Sequence, residues 1–164
     1  MKLLHRIGER INSNFNTLNE ILACPGPLSF DGIYVSVWNH REQLKGRDIT
    51  LFFCGAHVAS DNTFDVGQPY GKFCNWKEIF DLHFNYGFKL GYHSLTHADL
   101  TLLSDAEVVK EVTPPFPMDT FAYPYGKVDE RVARIIADAG YKEAYSVTQG
   151  NGCNFQKKRS YLNW

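Results

Sequence analysis

The chain has 164 residues and a formal net charge of −1, with 17 Lys and Arg set against 18 Asp and Glu. That length suits one domain with a real hydrophobic core. The balanced charge gives no general electrostatic case for nucleic acid or for an anionic membrane as partner.

The short basic run Lys157-Lys158-Arg159 reads as a solvated surface stretch. No apolar stretch approaches the ~20 residues needed to span a bilayer, so no transmembrane segment is expected. The opening Met-Lys-Leu-Leu-His-Arg-Ile-Gly-Glu-Arg breaks its apolar residues with charge, unlike a signal peptide. A cytoplasmic location is expected on that ground. The cysteines are Cys24, Cys54, Cys74 and Cys153, with no C-x-x-C pair, so free thiols are expected rather than a zinc knuckle. Aromatics make up 15% of the chain, and most are expected in the core.

In chain order, the apolar residues Leu3, Leu4, Ile7, Ile11, Phe15, Leu18, Ile21 and Leu22 predict a helix over 2–22, ended by Pro25-Gly26-Pro27. Leu28-Ser29-Phe30 follows as a short strand, and 35–44 reads as helical. Ile49-Thr50-Leu51-Phe52-Phe53-Cys54 is a continuous apolar run of the buried-strand type. A loop rich in Gly, Asn and Asp occupies 55–73. Asn75 can cap a helix running to about Tyr86, with Gly87 as its stop.

A third strand is expected over 88–92. Ser104-Asp105-Ala106-Glu107 has capping-box spacing and opens a helix to Val112, before Pro114, Pro115 and Pro117. A fourth strand over 120–123, a helix over 127–139 closed by Gly140 and a fifth strand over 143–147 complete the alternation. Strands alternating with helices imply a mainly parallel sheet. The polar tail over 150–164 is expected to pack as a loop or an edge strand.

The strongest local signal is Gly91-Tyr92-His93-Ser94-Leu95-Thr96-His97. Histidines four apart share one face of a helical turn, close enough to chelate one ion, and imidazole suits zinc and other late first-row metals. The pair directly follows a predicted buried strand. Phe30-Asp31-Gly32 follows the first strand and Tyr123-Pro124-Tyr125-Gly126 the fourth. In parallel α/β folds, sites collect at the carboxyl ends of strands, so a parallel sheet would bring all three to one rim. Asp31 there is either a turn-forming residue before Gly32 or a carboxylate for a metal site or general base.

These segments together resemble the polysaccharide deacetylase (NodB-homology) family. The resemblance runs from about Leu28 to Val147. It rests on Leu28-Ser29-Phe30-Asp31-Gly32, Ile49-Thr50-Leu51-Phe52-Phe53 and His93-Ser94-Leu95-Thr96-His97 leading to Leu100 and Leu103-Ser104-Asp105. It continues through Phe121-Ala122-Tyr123-Pro124-Tyr125-Gly126 with Asp129-Glu130-Arg131-Val132.

The resemblance implies an irregular or incomplete (β/α) barrel with mainly parallel strands. It would form a single domain over 1–164, with an N-terminal helix at 2–22, a barrel core at 28–147 and an irregular tail at 150–164. It implies hydrolysis of an acetyl group on an N-acetylated sugar or polysaccharide, such as one used in lipopolysaccharide synthesis. His93 and His97 would hold a divalent metal, zinc being the expected ion. Asp31 would be the catalytic base, and Tyr123, Pro124, Tyr125 and Gly126 would wall the substrate groove.

The chain departs from the family's pattern in three places. The family's first motif has two adjacent aspartates, and here only Asp31 is present. In one register Asp31 matches the base and Gly32 replaces the metal aspartate; in the other Asp31 is the metal ligand and the base is lost. His57, Asp61, Asp65 and Asp119 are the candidate replacements. No histidine follows His97, whereas the family's acid is a histidine near the C-terminus; losing a general acid typically costs ~10²–10⁴-fold in rate. Ala122 stands near where many members carry Arg. The alternative reading is therefore a non-catalytic, deacetylase-like domain that binds a carbohydrate or a partner. A third is amide hydrolysis of a non-sugar substrate on the same barrel.

Overall fold

Parallel backbone pairing between short buried segments organises the computed structural model, which describes residues 1–8, 15–147 and 154–162. The expectations for Ile11, Gly150 and Cys153 fall outside the described residues. The strands are β1 (Lys2–Leu4), β2 (Arg6–Ile7), β3 (Phe15–Asn16), β4 (Leu28–Asp31), β5 (Ile49–Phe53), β6 (Lys89–Tyr92), β7 (Thr120–Ala122), β8 (Glu143–Ser146), β9 (Lys157–Lys158) and β10 (Ser160–Tyr161). The helices are α1 (Leu18–Ala23), α2 (Val35–Asn39), α3 (Arg41–Leu44), α4 (Trp76–Phe84), α5 (Asp105–Val112) and α6 (Glu130–Asp138). No described helix is long and apolar enough to cross a membrane.

The chain divides into two compact units, the first made of Met1–Leu51, His57–Lys89 and Tyr161–Trp164 and the second of Phe52–Ala56 and Leu90–Ser160. In the first, the strand order is β10-β1-β4-β5, with β1 parallel to β4 (Lys2 beside Leu28, Leu4 beside Phe30). A separate parallel pair joins β2 to β3. In the second, the order is β5-β6-β7-β8-β9, and β6, β7, β8 and β9 are parallel neighbours.

The expected helix over 2–22 is corrected by this pairing. Residues 2–4, 6–7 and 15–16 are strands, and only Leu18–Ala23 is helical. The apolar spacing that mimics a helix serves strand burial instead: Leu3, Leu4 and Ile7 are buried, and β4 pairs with the first two and β3 with Ile7. Tertiary pairing overrides a weak local preference. The helix that does form starts at Thr17, whose hydroxyl accepts from Glu20 N–H at 3.3 Å while Glu20 accepts from Thr17 N–H at 2.8 Å.

The helix expected over 35–44 is divided at His40, because His40 Nδ1 takes the Ser36 carbonyl at 2.8 Å and the His40 amide bonds Val37 instead. The remaining elements lie within a few residues of expectation. β5 is buried along its whole length, as a continuous apolar run should be. Asn75 and Ser104 form capping boxes with Glu78 and Glu107.

The second unit's core is built on rings. Phe121 meets Tyr92, Tyr123 and Tyr141 edge-on with centroids at 6.4, 5.4 and 5.3 Å, the geometry that ring quadrupoles favour. Gly91 in β6 lets the side chains of Phe52 in β5 and Thr120 in β7 close over it, since a Cβ there would lie 2.4 Å from Phe52 Cε1 and 2.5 Å from Thr120 Oγ1.

The tail does contain edge strands, β9 and β10, but its basic run is not uniformly solvated. Arg159 is buried, with its guanidinium 5.1 Å from the Phe52 ring centroid and 5.9 Å from that of Tyr145. Lys157 pairs with Glu143, and Lys158 alone is exposed. Strand alternation, which a charge count ignores, explains the difference.

Cys24, Cys54 and Cys74 are buried thiols. Burial, aided by the charge of Glu78, pushes the Cys74 thiol up to about 12. Because the thiolate is the reactive form, Cys74 should resist iodoacetamide at pH 8 in the native protein and react in urea, as peptide mapping would show. Gly91→Ala should lower stability by about 2 kcal/mol through overpacking, read by urea unfolding; an unchanged midpoint would contradict the close approach of Phe52 and Thr120.

Candidate active site

The loop after β6 carries both histidines, and it is not a helical turn. Ser94 and His97 sit at φ of 67° and 65°, in the left-handed region that non-glycine residues rarely adopt. The helical spacing expected for the pair is therefore corrected. The rings nonetheless meet, with centroids 4.9 Å apart and planes at 71°. The backbone reversal brings His97 back toward His93 in place of helix periodicity.

Neighbouring elements hold this loop. His93 N–H donates to Phe53 O at 2.9 Å, while Gly55 and Ala56 N–H donate to the carbonyls of Ser94 and Leu95 at 3.0 and 2.8 Å. The buried Ser94 hydroxyl accepts from His97 N–H at 2.9 Å. Cys54 Sγ donates to the His93 carbonyl at 3.0 Å.

From α5, the Glu111 carboxylate accepts from Thr96 N–H at 2.9 Å and from Thr96 Oγ1 at 2.7 Å, and the Glu111 carbonyl accepts from Leu95 N–H at 2.8 Å. Glu111 escapes a reading of the sequence. Its only signal is a carboxylate on the apolar face of a helix, beside the buried Val108 and Val112.

His93 is buried, and its Nδ1 lies 2.7 Å from the Ala122 carbonyl. A carbonyl only accepts, so Nδ1 carries a proton, and in the neutral imidazole the lone pair is on Nε2. A metal-binding histidine has this arrangement, one ring nitrogen donating to a backbone oxygen and the other offered to the ion.

The turn after β7 closes on the same loop. Tyr125 is exposed, sits at φ 57° and places its ring 4.7 Å from that of His97. Gly126, at φ 67°, is tight against Val147, whose nitrogen would be 2.8 Å from an added Cβ. Tyr123, Pro124 and Gly126 are buried, and the Tyr123 hydroxyl donates to Phe155 O at 2.8 Å. Of the four expected groove residues, Tyr125 is the one that presents its side chain outward.

Asp31 belongs to the first unit, as the buried last residue of β4. Gly32 follows at φ 74°, where a Cβ would lie 2.9 Å from Phe73 and 3.1 Å from Tyr34. The Tyr34 and Phe73 rings are 4.4 Å apart. His57 stacks on Phe64 at 3.9 Å. Asp61 is in the exposed loop, accepting from Thr63 N–H at 3.1 Å. Asp119 precedes β7, at the end of that strand opposite Tyr123, and pairs with Lys142 at 2.9 Å.

Among the described residues, no group of three or more His, Cys, Asp or Glu side chains is gathered to hold an ion. The donor chemistry of the histidine pair fits a divalent metal as two imidazole nitrogens, with the other positions left to small ligands.

Glu111→Ala removes both acceptors for Thr96. It should cost about 1–3 kcal/mol and speed exchange of the Thr96 amide, while Glu111→Gln, keeping one acceptor, should fall between it and wild type. Equal exchange in all three proteins would show that the carboxylate does not hold the loop.

The family model of polysaccharide deacetylases matches residues 28–144. No curated protein matches the chain. Among solved structures, a polysaccharide deacetylase from Bacillus cereus aligns at 17% identity and a TM-score of 0.75, covering 98% of this chain and 63% of that one. The Streptococcus pyogenes deacetylase PplD, solved with acetate, aligns at 17% identity and a TM-score of 0.71, covering 99% and 93%. IcaB from Ammonifex degensii aligns at 18% identity and a TM-score of 0.65, covering 96% and 76%. The chain thus spans less than two thirds of the Bacillus cereus protein's length. Asp31, the histidine loop and the Tyr123–Gly126 turn all fall within the matched span, and the chain belongs to the polysaccharide deacetylase family, whose (β/α) barrel fold with mainly parallel strands it adopts.

Proposed function

We propose that the chain is a divalent-metal-dependent hydrolase that removes an acetyl group from an N-acetylated saccharide. The observation that carries this reading is the histidine pair, with rings 4.9 Å apart and His93 Nδ1 held on the Ala122 carbonyl at 2.7 Å. His93 and His97 would hold the ion, and zinc suits the donor set. When bound, such an ion polarises the acetyl carbonyl and makes water nucleophilic near neutral pH.

The chain's own residues do the rest. His93 Nδ1–H donates to Ala122 O, which fixes the ring's orientation. Ser94 and Glu111 fix the backbone between the two rings. Tyr125, exposed beside His97, offers a face on which a sugar ring can stack. Asp31 is assigned the role of general base from its place in the family's motif order. Acetate bound to PplD is the product this reaction would release.

Elemental mass spectrometry on untagged protein tests the metal. The expected result is near one divalent ion per chain, lost in His97→Ala, with acetate release from an N-acetylated oligosaccharide abolished by chelator and restored by zinc. Protein that carries no metal and takes up no added zinc would sink the proposal and leave the carbohydrate-binding alternative. Asp31→Asn separates the two registers: a base predicts ~10²–10⁴-fold slower acetate release with metal content retained, whereas a ligand predicts loss of metal.

A further inference from the structure

Arg6 in β2 is a buried cation of unusual company. Only 5% of it is exposed, and among the described residues no Asp or Glu forms an ion pair with it. Buried arginines ordinarily take a carboxylate partner. Here Nη1 donates to the carbonyls of Pro69 and Tyr70, and the guanidinium carbon lies 4.2 Å from the Tyr34 ring centroid and 5.1 Å from that of Phe15. Gly71 closes over it so tightly that a Cβ would be 2.9 Å from the guanidinium carbon. Carbonyl dipoles and ring faces hold the group in place, with no carboxylate among the described residues paired to it.

The guanidinium lines a cavity of about 140 Å³, shared with Tyr34, Ser36, Tyr70 and Lys72. At about 30 Å³ per water, that space has room for a phosphate or carboxylate group. Ser36 Oγ accepts from Ile7 N–H at 3.2 Å, so its own proton is available to donate. Lys72 brings a second positive charge, balanced in part by Asp61, with which its backbone pairs. Tyr34 joins this cavity to the Asp31 turn: the ring that stacks on Arg6 also lies 3.1 Å from where a Cβ on Gly32 would sit.

We propose that this cavity is an anion subsite, and that the saccharide acted on carries a phosphate or carboxylate group held by Arg6, Lys72 and Ser36 beside the Asp31 turn. The substrate class rests on the acetyl-hydrolase reading; the anion site does not. Charge-assisted donors of this kind are each worth about tenfold in affinity.

The test is calorimetric titration of the intact protein with glucose, glucose 1-phosphate and glucuronate, none of which has an acetyl group to hydrolyse. At least one charged sugar should bind about tenfold or more tighter than glucose, with the preference shrinking in Lys72→Gln, Arg6→Lys and Ser36→Ala and as NaCl is raised. A preference for glucose 1-phosphate assigns a phosphorylated saccharide, and one for glucuronate a uronic acid. Should Arg6→Lys fail to fold, the Lys72 and Ser36 variants, judged by unchanged melting curves, decide the matter. Equal binding of all three sugars, or a preference that survives Lys72→Gln and Ser36→Ala, overturns the proposal. A charge preference without acetate release from any acetylated sugar would remove the hydrolase reading and leave the anion site standing.

Discussion

The candidate chemistry depends on the hydrogen bonds that hold the loop after β6 against β5 and α5. Left-handed backbone at two non-glycine residues costs of order 1–3 kcal/mol each, and both Ser94 and His97 adopt it. Such a loop persists only where its surroundings over-determine it. Phe53 accepts from His93, Gly55 and Ala56 donate to Ser94 and Leu95, and Glu111 grips Leu95 and Thr96. At about 0.5–1.5 kcal/mol net apiece, with more for bonds to a carboxylate, these bonds are large enough to offset the strain. The facing of the two imidazole rings thus depends on groups outside the rings themselves.

The two units solve different problems with similar means. In the second, rings pack edge to face around Phe121, and Phe52 and Thr120 leave room only for glycine at position 91. In the first, rings flank charge: Tyr34 and Phe15 hold the Arg6 guanidinium. The high aromatic content therefore serves both core filling and the placement of a cation.

Much of the fold was legible because its strands are short apolar runs punctuated by caps. β5 announces itself in five consecutive buried residues, and Asn75 and Ser104 mark helix starts through side-chain geometry that is local in sequence. What was missed is non-local. Lys2–Leu4 pairs with a segment 26 residues away, and nothing in its own spacing separates that from a helix. Glu111 acts on Thr96, 15 residues upstream. Positive φ at Ser94 and His97 leaves no trace in sequence, since glycine is its usual sign. Arg159 and Arg6 look like ordinary surface cations until the rings that cover them are in place. That His93, His97 and Tyr125 are neighbours was legible through motif order, and the local geometry that brings their rings together was not.

The order in which the chain visits the first unit bears on its synthesis. β1 lies between β4 and β10, and Lys2 Nζ donates to Tyr161 O at 3.5 Å, across 159 residues of sequence. Translation proceeds at ~5–20 residues per second, so roughly ten to thirty seconds separate the emergence of these two partners from the ribosome. Over that interval one edge of β1, with the apolar Leu3 and Leu4, is without its neighbour. A nascent chain built this way exposes that edge to chaperones, and to strand pairing with other chains, for the whole of the interval.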